Sequence, residues 1–390
     1  MTRKSAHIDT RLQHMGLSPD DNFGIPNPPI YRTSTILSSS MAQHRGDVPK
    51  PYDYGRIGTP TTDAFEGSIA QLYGADDCIS TPSGLSAIST ALLSISKAGC
   101  HALFPDSVYG SARRFVTQTL TSLGVETEFY PPRLDKGIEE LIRPETAYIY
   151  LESPGSLTFE LQDISAITGI ARQHDIMTVI DNTWGTALHL DVFSHGIDIV
   201  IEAGTKYIAG HSDTNLGIVA SRGEVAAQIR RTARNLGVCA GPEDLYLGLR
   251  GLRTLRLRLE QSAQNGIAVA ESLTHHPAVV DMLHPGLESS PDQAVYRKHF
   301  TGSCGLFGLI IQGDISQDRI DSAIEGMAVF RIGDSWGGYE SLIKQAHLGT
   351  RERRFTPEHK EGHLLRFYCG LEHHEDLIAD ASSMLDRLLD

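Results

Sequence analysis

Cysteine is scarce in this chain and is not arranged for covalent or metal cross-links. Five cysteines are spread over 390 residues, an odd number, and no two of them form a Cys-x-x-Cys pair. Such spacing is typical of reduced thiols in a protein core and not of a disulfide framework or a zinc site. The histidine pairs at 275–276 and 373–374 are adjacent, and neighbours in sequence do not share one ligand face. The sequence therefore predicts no metal site.

Basic residues and long apolar runs are also in short supply. The chain carries 34 lysines and arginines against 48 acidic residues, a formal net charge of −14, and has no polybasic run. This balance argues against a nucleic-acid partner or an anionic membrane surface. The polar stretch 1–7 is not followed by an apolar segment of signal-peptide length, and no apolar run reaches the roughly 18 residues of a membrane helix. We therefore expect a cytoplasmic protein with no membrane partner.

What the chain does contain is an alternation of short apolar strands and helical segments. Its 40% hydrophobic residues and its length suit a globular protein of about two domains. Strands that alternate with helices predict an α/β fold, in which helices cover both faces of a mostly parallel sheet and ligands bind at the carboxyl ends of the strands. Strands are predicted at 101–104, 147–151, 176–180 and 197–201, with helices from about 61 to 73 and from 164 to 174.

Changes in composition divide the chain into three parts. Residues 1–58 are rich in Pro, Ser, Thr and Gly, and we expect this N-terminal arm to need another surface to order it. Residues 59–245 hold the alternating strands, and residues 246–390 form a smaller α/β domain. The leucine- and arginine-rich stretch 245–259 predicts one long amphipathic helix whose arginines face solvent or another subunit. Further elements of the smaller domain are predicted at 305–312, 364–369 and 376–389.

The most informative single residue is Lys206, which follows the predicted buried strand 197–201. A lysine held in a partly desolvated site has a lowered pKa and can form a Schiff base, as pyridoxal phosphate chemistry requires. The alternative is a solvated surface lysine after a strand, so the rest of the chain has to supply a cofactor site around it.

Other residues in the chain have the properties of the remaining parts of such a site. Asp181 ends a strand and can pair with a pyridine nitrogen, although a carboxylate there is also a common helix cap. Tyr109 can lay its ring on a flat ligand, and Glu152 ends a third strand. The helix start at Gly84-Leu85 can cradle a phosphate with its backbone N–H groups. Arg366 interrupts an apolar strand, where it suits either a substrate carboxylate or a structural ion pair.

The sequence resembles the γ-family of fold-type I pyridoxal phosphate enzymes of cysteine and methionine metabolism over essentially its whole length. The motifs that carry the resemblance are Tyr54-Gly55-Arg56, Asp181-Asn182-Thr183-Trp184, Thr205-Lys206-Tyr207 with Gly210-His211-Ser212-Asp213, and Gly251-Leu252-Arg253-Thr254. The resemblance implies a mostly parallel seven-stranded sheet between helices and a smaller C-terminal α/β domain. It also implies pyridoxal 5′-phosphate bound covalently as an aldimine on Lys206.

The same resemblance implies a homotetramer built from two catalytic dimers. Tyr54 and Arg56 would cross from one subunit to the cofactor phosphate of its neighbour, and Tyr54 would also reach the substrate. Further roles implied by the family are cofactor stacking and catalysis for Tyr109, proton transfer for Lys206, cofactor contacts for Thr183 and Thr205, and binding of the substrate α-carboxylate for Arg366, Ser335 and Trp336.

Two segments, 151–156 and 335–341, resemble the branch of the family that cleaves cystathionine by α,β-elimination; synthases and γ-lyases more usually carry leucine where Trp336 stands. The rivals are a cysteine or cystine lyase, a γ-lyase, a γ-synthase, and a protein of this fold that only binds or regulates. The chain departs from its relatives at Ala203, where many carry a phosphate-binding serine. It also has Arg113-Arg114 where some β-lyases carry an acidic residue near the distal ammonium of cystathionine, which leaves the thioether substrate open.

Overall fold

The computed structural model describes residues 6–346 and 361–389, which form two β-sheets with helices packed against them. The strands are β1 (Asp77–Thr81), β2 (His101–Pro105), β3 (Glu126–Tyr130), β4 (Thr146–Glu152), β5 (Met177–Asp181), β6 (Ile199–Glu202), β7 (Gly217–Ser221), β8 (Val279–Leu283), β9 (Leu306–Ile311), β10 (Arg331–Ile332), β11 (Leu342–Ala346) and β12 (His363–Tyr368). The helices are α1 (Ile8–His14), α2 (Met41–Arg45), α3 (Pro60–Tyr73), α4 (Gly84–Ile95), α5 (Gly110–Arg114), α6 (Ile164–Gln173), α7 (Thr186–His189), α8 (Glu224–Leu236), α9 (Pro242–Leu252), α10 (Leu255–Leu273), α11 (Gln293–His299), α12 (Gln317–Glu325) and α13 (His374–Leu389). A π-helical turn at Phe115–Leu120 extends α5, and short 3₁₀ turns occupy Pro19–Asn22 and Asp135–Leu141.

The larger sheet has seven strands in the order β1-β7-β6-β5-β4-β2-β3. Strand β7 runs antiparallel to both of its neighbours, and the other adjacent pairs are parallel. The prediction of a mostly parallel seven-stranded sheet is therefore confirmed. The predicted strands correspond to β2, β4, β5 and β6, each within two residues of the expected ends.

Helices cover both faces of this sheet because alternate side chains of each strand enter different cores. On β4, Ile149 and Leu151 pack with residues of α3, α6 and α9, whereas Tyr148 and Tyr150 pack with residues of α4 and α8. A strand buried on both faces reads as a continuous apolar run, which is the pattern of these segments. No helix in the two described ranges is long and apolar enough to cross a membrane.

The smaller sheet contains five strands in the order β10-β11-β12-β9-β8, and its neighbouring strands are antiparallel except for β10 and β11. Residues of α10, α12 and α13 pack with its strands in a core of their own. The sequence therefore predicted an α/β unit here correctly, while the boundaries at residues 58 and 245 stay predictions.

The prediction of one long helix over 245–259 is wrong in two respects. The chain forms α9 and α10, with Arg253 and Thr254 between them. The arginines are not simply an exposed stripe, since Arg258 is 7% exposed. Its guanidinium donates to the carbonyl oxygens of Gly251 (2.7 Å) and Tyr207 (2.8 Å), so it holds the end of α9 against the chain that follows Lys206. The break is stabilised because these carbonyls receive hydrogen bonds from a side chain.

Candidate active site

The carboxyl ends of β4, β5 and β6 place the polar candidates side by side. Glu152 and Asp181, the last residues of β4 and β5, are paired in register, and Asp181 is paired with Ile201 one residue before the end of β6. The chain leaves β6 after Glu202 and reaches Lys206 four residues later. Because parallel strands end at one edge of the sheet, Asp181 and the Lys206 segment face the same opening.

Lys206 lies in a tight turn and is half-buried. Its backbone N–H donates to the carbonyl of Ala203 (2.9 Å), and its Nζ donates to Oγ of Ser335. The Nζ atom also lies 5.5 Å from the ring centroid of Trp336. Burial and then the positive charge of Arg366 lower the pKa of Lys206 to about 8, against the opposing influence of Asp181. The surface-lysine alternative does not describe this residue.

The Asp181 carboxylate is held by a neighbouring hydroxyl. Its Oδ1 accepts hydrogen bonds from the backbone N–H of Thr183 (3.0 Å) and from Oγ1 of Thr183 (2.5 Å). The same Oγ1 accepts a hydrogen bond from the N–H of Ala203 (2.9 Å), so Thr183 connects the carboxylate to the Lys206 segment. Burial raises the pKa of Asp181, and the bonds from Thr183 and the charge of Lys206 oppose that rise. Asp181 does not cap α7, which begins at Thr186.

The start of α4 lies directly against the same segment. A Cβ atom added to Gly84 would lie 2.7 Å from Cβ of Ala203, so the close approach requires glycine at one position and favours a small residue at the other. Oγ of Ser83 caps the helix by accepting from the N–H of Ser86 (3.1 Å). The first-turn N–H groups, among them those of Gly84 and Leu85, have no partner within the helix and carry the positive end of its dipole. This is a suitable cradle for an anion next to the lysine.

The Thr205 hydroxyl is already engaged. It donates to the carbonyl of Leu216 (3.1 Å) and accepts from the N–H of Leu216 (2.8 Å). A hydroxyl has one proton to donate, so Thr205 could bind a phosphate only by giving up the bond to Leu216. Its predicted cofactor contact stays a prediction.

Tyr109 lies between β2 and α5 with its ring open. Its backbone N–H donates to Oε2 of Glu152 (2.7 Å), which ties the residue to the carboxyl edge of the sheet, and its side chain is 44% exposed. The ring is therefore available to cover a flat ligand bound at that edge.

The smaller sheet supplies the other side of the opening. Arg366 on β12 is 7% exposed and its Nη2 donates to the carbonyls of Ser335 (2.8 Å) and Gly333 (3.2 Å). These bonds hold the loop in which Ser335 adopts a positive φ of 75°. Gly337, at φ 86°, passes so close that a Cβ atom there would lie 2.9 Å from Cα of Lys206. Sequence reasoning gave Gly337 no role, although the Gly337-Gly338 pair was a usable signal.

Tyr54 and Arg56 are not brought to Lys206 by the described part of a single chain. Tyr54 is 43% exposed and forms an isolated bridge with Thr35, while Nη1 of Arg56 donates to the carbonyl of Arg234 (3.0 Å). Large apolar side chains of the same arm are open to solvent: Phe23 is 100%, Leu37 85% and Met41 64% exposed.

Sequence reasoning also missed a buried acid beside the site. Glu202, the last residue of β6, is 1% exposed and accepts a hydrogen bond from the hydroxyl of Tyr73. Burial raises its pKa to about 8. The sequence signal for Glu202 is a carboxylate at the end of an otherwise apolar strand.

Taken together, these residues fit pyridoxal phosphate. The structure offers an amine with a lowered pKa, a carboxylate fixed by a hydroxyl, an open aromatic ring, and a helix start that only glycine allows to approach the lysine segment. No cluster of three or more metal-ligating side chains occurs within the described ranges. The fold and the site define a pyridoxal phosphate-dependent enzyme of the fold-type I class.

Comparison with known proteins identifies the family. The family described as Cys/Met metabolism PLP-dependent enzyme matches residues 9–386, and the chain belongs to it. A cystathionine beta-lyase of Bordetella avium is 36% identical over 391 residues, 98% of each chain. An L-alanine/L-glutamate racemase of Wolbachia pipientis wMel is 35% identical over 390 residues, 97% of this chain and 96% of the relative. Among solved structures, a cystathionine gamma-lyase of Lactobacillus plantarum complexed with L-serine has a TM-score of 0.91 and 28% identity, and the match covers 98% of this chain and 100% of that one.

Proposed function

We propose that this protein is a carbon–sulfur lyase that converts L-cystathionine to homocysteine, pyruvate and ammonia by α,β-elimination. The observation that carries the proposal is the half-buried Lys206 amine, which donates to Ser335 and has a pKa lowered to about 8 by burial and by Arg366. The likeness to a relative named cystathionine beta-lyase supports the choice of reaction. The reaction belongs to transsulfuration in methionine biosynthesis, and a cytoplasmic location stays a prediction.

Each residue at the sheet edge would bind a different part of the cofactor. Lys206 would bind pyridoxal phosphate covalently through Nζ, Asp181 would pair with the pyridine nitrogen, and the N–H groups of Gly84 and Leu85 would bind the phosphate. Tyr109 would cover the ring. When bound, the cofactor supplies an electron sink for the electron pair left on the substrate α-carbon.

Substrate is held from the other side of the opening. The guanidinium of Arg366 and the Ser335-Trp336 backbone would bind its α-carboxylate, as the buried planar fork of an arginine suits a carboxylate. Such binding would bring the α-carbon near Nζ of Lys206, because Ser335 is the hydrogen-bond partner of that atom. Positioning of this kind contributes a large share of the rate in reactions of bound substrates.

Lys206 would also serve as the general base. With its amine free, Lys206 would remove the α-proton of the bound substrate. A pKa near 8 leaves a substantial unprotonated fraction at neutral pH, whereas an ordinary lysine would be almost fully protonated. The electron pair of the broken Cα–H bond expels the β-thiolate, which leaves as homocysteine after protonation. The unsaturated amine that remains hydrolyses to pyruvate and ammonia.

The identity of the keto acid released from the substrate distinguishes α,β-elimination from the rival reactions. Purified protein supplied with cystathionine should give pyruvate and homocysteine in equal amounts. Formation of 2-oxobutyrate and cysteine would identify a γ-lyase, and turnover of cysteine or cystine alone would identify a related lyase. A racemase like the Wolbachia relative would convert L-alanine to D-alanine without releasing a keto acid.

We further propose that the active protein is a homotetramer of two catalytic dimers, in which Tyr54 and Arg56 complete the site of the neighbouring subunit and Tyr54 also contacts the substrate. What supports this is the solvent exposure of Phe23 and Leu37 in the same arm, since large apolar patches are typical of surfaces that bind another chain.

Subunit complementation tests the shared site. Arg56→Ala and Lys206→Ala would each be inactive alone, but a mixed dimer would contain one site with both residues intact. Co-expression of the two variants should therefore restore part of the activity. A mixture as inactive as its components would contradict the shared site.

A further inference from the structure

The loop at residues 333–341 connects β10 to β11 and packs on the segment that carries Lys206. A Cβ atom on Gly337 would meet Cα of Lys206, and one on Gly338 would meet Oγ of Ser212, so the loop touches the segment at both of these points. The close approach is possible because neither glycine carries a side chain. The position of the 333–341 loop is therefore coupled to the segment that follows Lys206.

A hydrogen bond between side chains closes this contact. Oγ of Ser212 donates to Oε1 of Glu340 (2.5 Å), although the two residues are 128 positions apart in the sequence. The Glu340 side chain is half-buried, and its Oε2 is buried and accepts no hydrogen bond within residues 6–346 and 361–389. A carboxylate that is partly withdrawn from water needs donors, and Ser212 supplies one. Hydrogen bonds to a charged acceptor are stronger than bonds between neutral groups.

The backbone of Ser212 is unusual at the same place. Its φ is 57°, in the left-handed region that residues other than glycine rarely adopt. Residues in this region persist where the surrounding structure fixes them, and they cluster at functional sites. The serine thus keeps a costly backbone conformation at the position from which its hydroxyl reaches Glu340.

The smaller sheet holds the 333–341 loop from one side. Nη2 of Arg366 donates to the carbonyl of Ser335 (2.8 Å), and the hydroxyl of Tyr368 donates to the carbonyl of Gly338 (2.7 Å). Both donors lie on β12, which is paired with β11. These bonds fix the loop relative to its own sheet, but they do not fix its distance from Lys206.

Two hydrogen bonds tie the loop to the lysine segment from the other side. One runs from Nζ of Lys206 to Oγ of Ser335, and the other runs from Ser212 to Glu340. The first would be given up during the reaction, because the same amine would serve as covalent anchor and base. The second involves no reacting atom, so it can persist throughout turnover.

We propose that Ser212 and Glu340 are positioning residues, which keep the backbone of Ser335 and Trp336 in place beside Lys206 during the reaction. The inference rests on the proposed function, in which this backbone binds the substrate α-carboxylate. The two side chains act through the loop and not on the reacting atoms. Because the α-carboxylate stays bound throughout, loss of this positioning should weaken binding of the substrate and of the transition state alike.

Steady-state kinetics with cystathionine measures this role. Ser212→Ala and Glu340→Ala should each raise KM about fivefold, as expected for loss of one hydrogen bond to a charged group, and should change kcat by less than about twofold. In the double variant, KM should match that of the single variants, because both changes remove the same bond. A fall in kcat with unchanged KM would contradict the proposed role.

Conservative and control variants separate this bond from a general structural effect. Glu340→Gln keeps an oxygen acceptor for Ser212, and its KM should lie within about twofold of that of the unmodified protein. Ser383→Ala removes an exposed hydroxyl that is hydrogen-bonded to Arg387 on α13, and it should leave KM unchanged. A KM in Glu340→Gln as high as that in Glu340→Ala would count against the bond.

Ser212→Gly distinguishes the hydrogen bond from the backbone conformation. Glycine adopts a φ of 57° without strain but has no hydroxyl. If the bond to Glu340 positions the loop, KM in Ser212→Gly should be as high as in Ser212→Ala. A KM restored by glycine would show that the backbone conformation alone matters, and would overturn the inference.

Hydrogen exchange followed by mass spectrometry tests the contact without turnover. In the cofactor-loaded protein, peptides that cover residues 333–341 should exchange about fivefold faster in Ser212→Ala and Glu340→Ala, because the loop opens more often. Exchange in Glu340→Gln should match that of the unmodified protein, and peptides from α12 should be unaffected in every variant. Unchanged exchange of the loop in Ser212→Ala would overturn the inference.

The unmodified protein distinguishes failure of this inference from failure of the lyase proposal. If it releases pyruvate from cystathionine and both alanine variants keep its KM, only the positioning role is refuted. If the cofactor-loaded protein releases no pyruvate, the lyase proposal is refuted and the positioning role with it, even where hydrogen exchange detects the contact.

Discussion

The carboxyl edge of the seven-stranded sheet and the N-terminal arm both carry residues assigned to the same cofactor, yet they differ in how complete they are. At the sheet edge, Lys206, Asp181 and Thr183 are joined to their surroundings by hydrogen bonds within one chain. In the arm, Tyr54 is exposed and Leu37 is 85% exposed. One chain therefore holds Lys206 and Asp181 in place by itself, whereas the arm exposes apolar side chains that the proposed tetramer would cover.

The largest effect should come from Lys206→Ala. Loss of the amine removes both the covalent anchor and the base, so turnover should fall by at least about 10³-fold. The assay is pyruvate release with cofactor added in excess. Because the edge folds within one chain, light scattering should give the same oligomeric state. Lys97→Ala, which alters an exposed lysine just after α4, should behave like the unmodified protein. Undiminished turnover in Lys206→Ala would show that this lysine is not the catalytic base.

The second-largest loss of activity is expected for Asp181→Asn. An amide cannot stabilise a protonated pyridine nitrogen, so kcat/KM should fall by about 10²-fold. Thr183→Ala keeps the carboxylate but removes the hydroxyl that orients it, and should cost about tenfold, consistent with one charge-assisted hydrogen bond. Steady-state kinetics on both variants measures the order. If Thr183→Ala proved the more damaging, orientation and not charge would be the main contribution of this pair.

The arm should respond differently from the edge. Charges introduced by Leu37→Asp with Met41→Asp should weaken subunit association and lower activity about tenfold, while each chain stays folded, because these side chains are 85% and 64% exposed in one chain. Light scattering and circular dichroism measure the two properties. Leu123→Asp alters a 52% exposed leucine outside the arm and should leave association intact. Unchanged assembly in the double variant would remove the distinction between the two regions.

The smallest effect concerns the buried acid behind the edge. The pKa of Glu202 is raised by burial to about 8 from the ordinary 4.5, so the folded chain keeps a proton that the unfolded chain releases. Stability should therefore decrease as pH rises from about 4.5 to about 8, and this contribution is lost above that range.

Glu202→Gln keeps a hydrogen-bond acceptor for Tyr73 but does not titrate. Relative to the unmodified protein, its Tm should rise by about 2–4 °C between pH 6 and pH 9. Thermal melts at the two pH values measure the difference. A constant offset in Tm at both pH values would show that Glu202 does not titrate in this interval.

The strands of the edge could be predicted because they depend on local patterns. Apolar runs marked these strands, and Asp181 and Glu152 each follow one of them, so parallel pairing alone places the two side by side. Long-range partners were not visible in the same way. Arg258 was predicted to face solvent or another subunit, but it is buried and binds the carbonyls of Tyr207 and Gly251. No local sequence pattern identifies a backbone carbonyl as the partner of an arginine.

The binding partners of Arg366, inside the site, could not be predicted from the sequence either. Its position in an apolar strand indicated that its guanidinium needed a partner, and the sequence left a substrate carboxylate and an ion pair as alternatives. The structure adds a third possibility, since the guanidinium holds the carbonyls of Gly333 and Ser335 and thereby shapes the loop beside Lys206. Its proposed contact with the substrate is compatible with these bonds because an arginine has five N–H donors.

The role of Lys206 is tested by locating the cofactor on the chain. Borohydride reduction of the cofactor-loaded protein would fix pyridoxal phosphate to the lysine that holds it, and mass spectrometry of a proteolytic digest would identify the peptide. We expect the added mass on Lys206 and no labelled peptide from Lys206→Ala. Label on another lysine, such as Lys344 on β11, whose charge acts on Lys206, would contradict the assignment of Lys206 as the cofactor lysine.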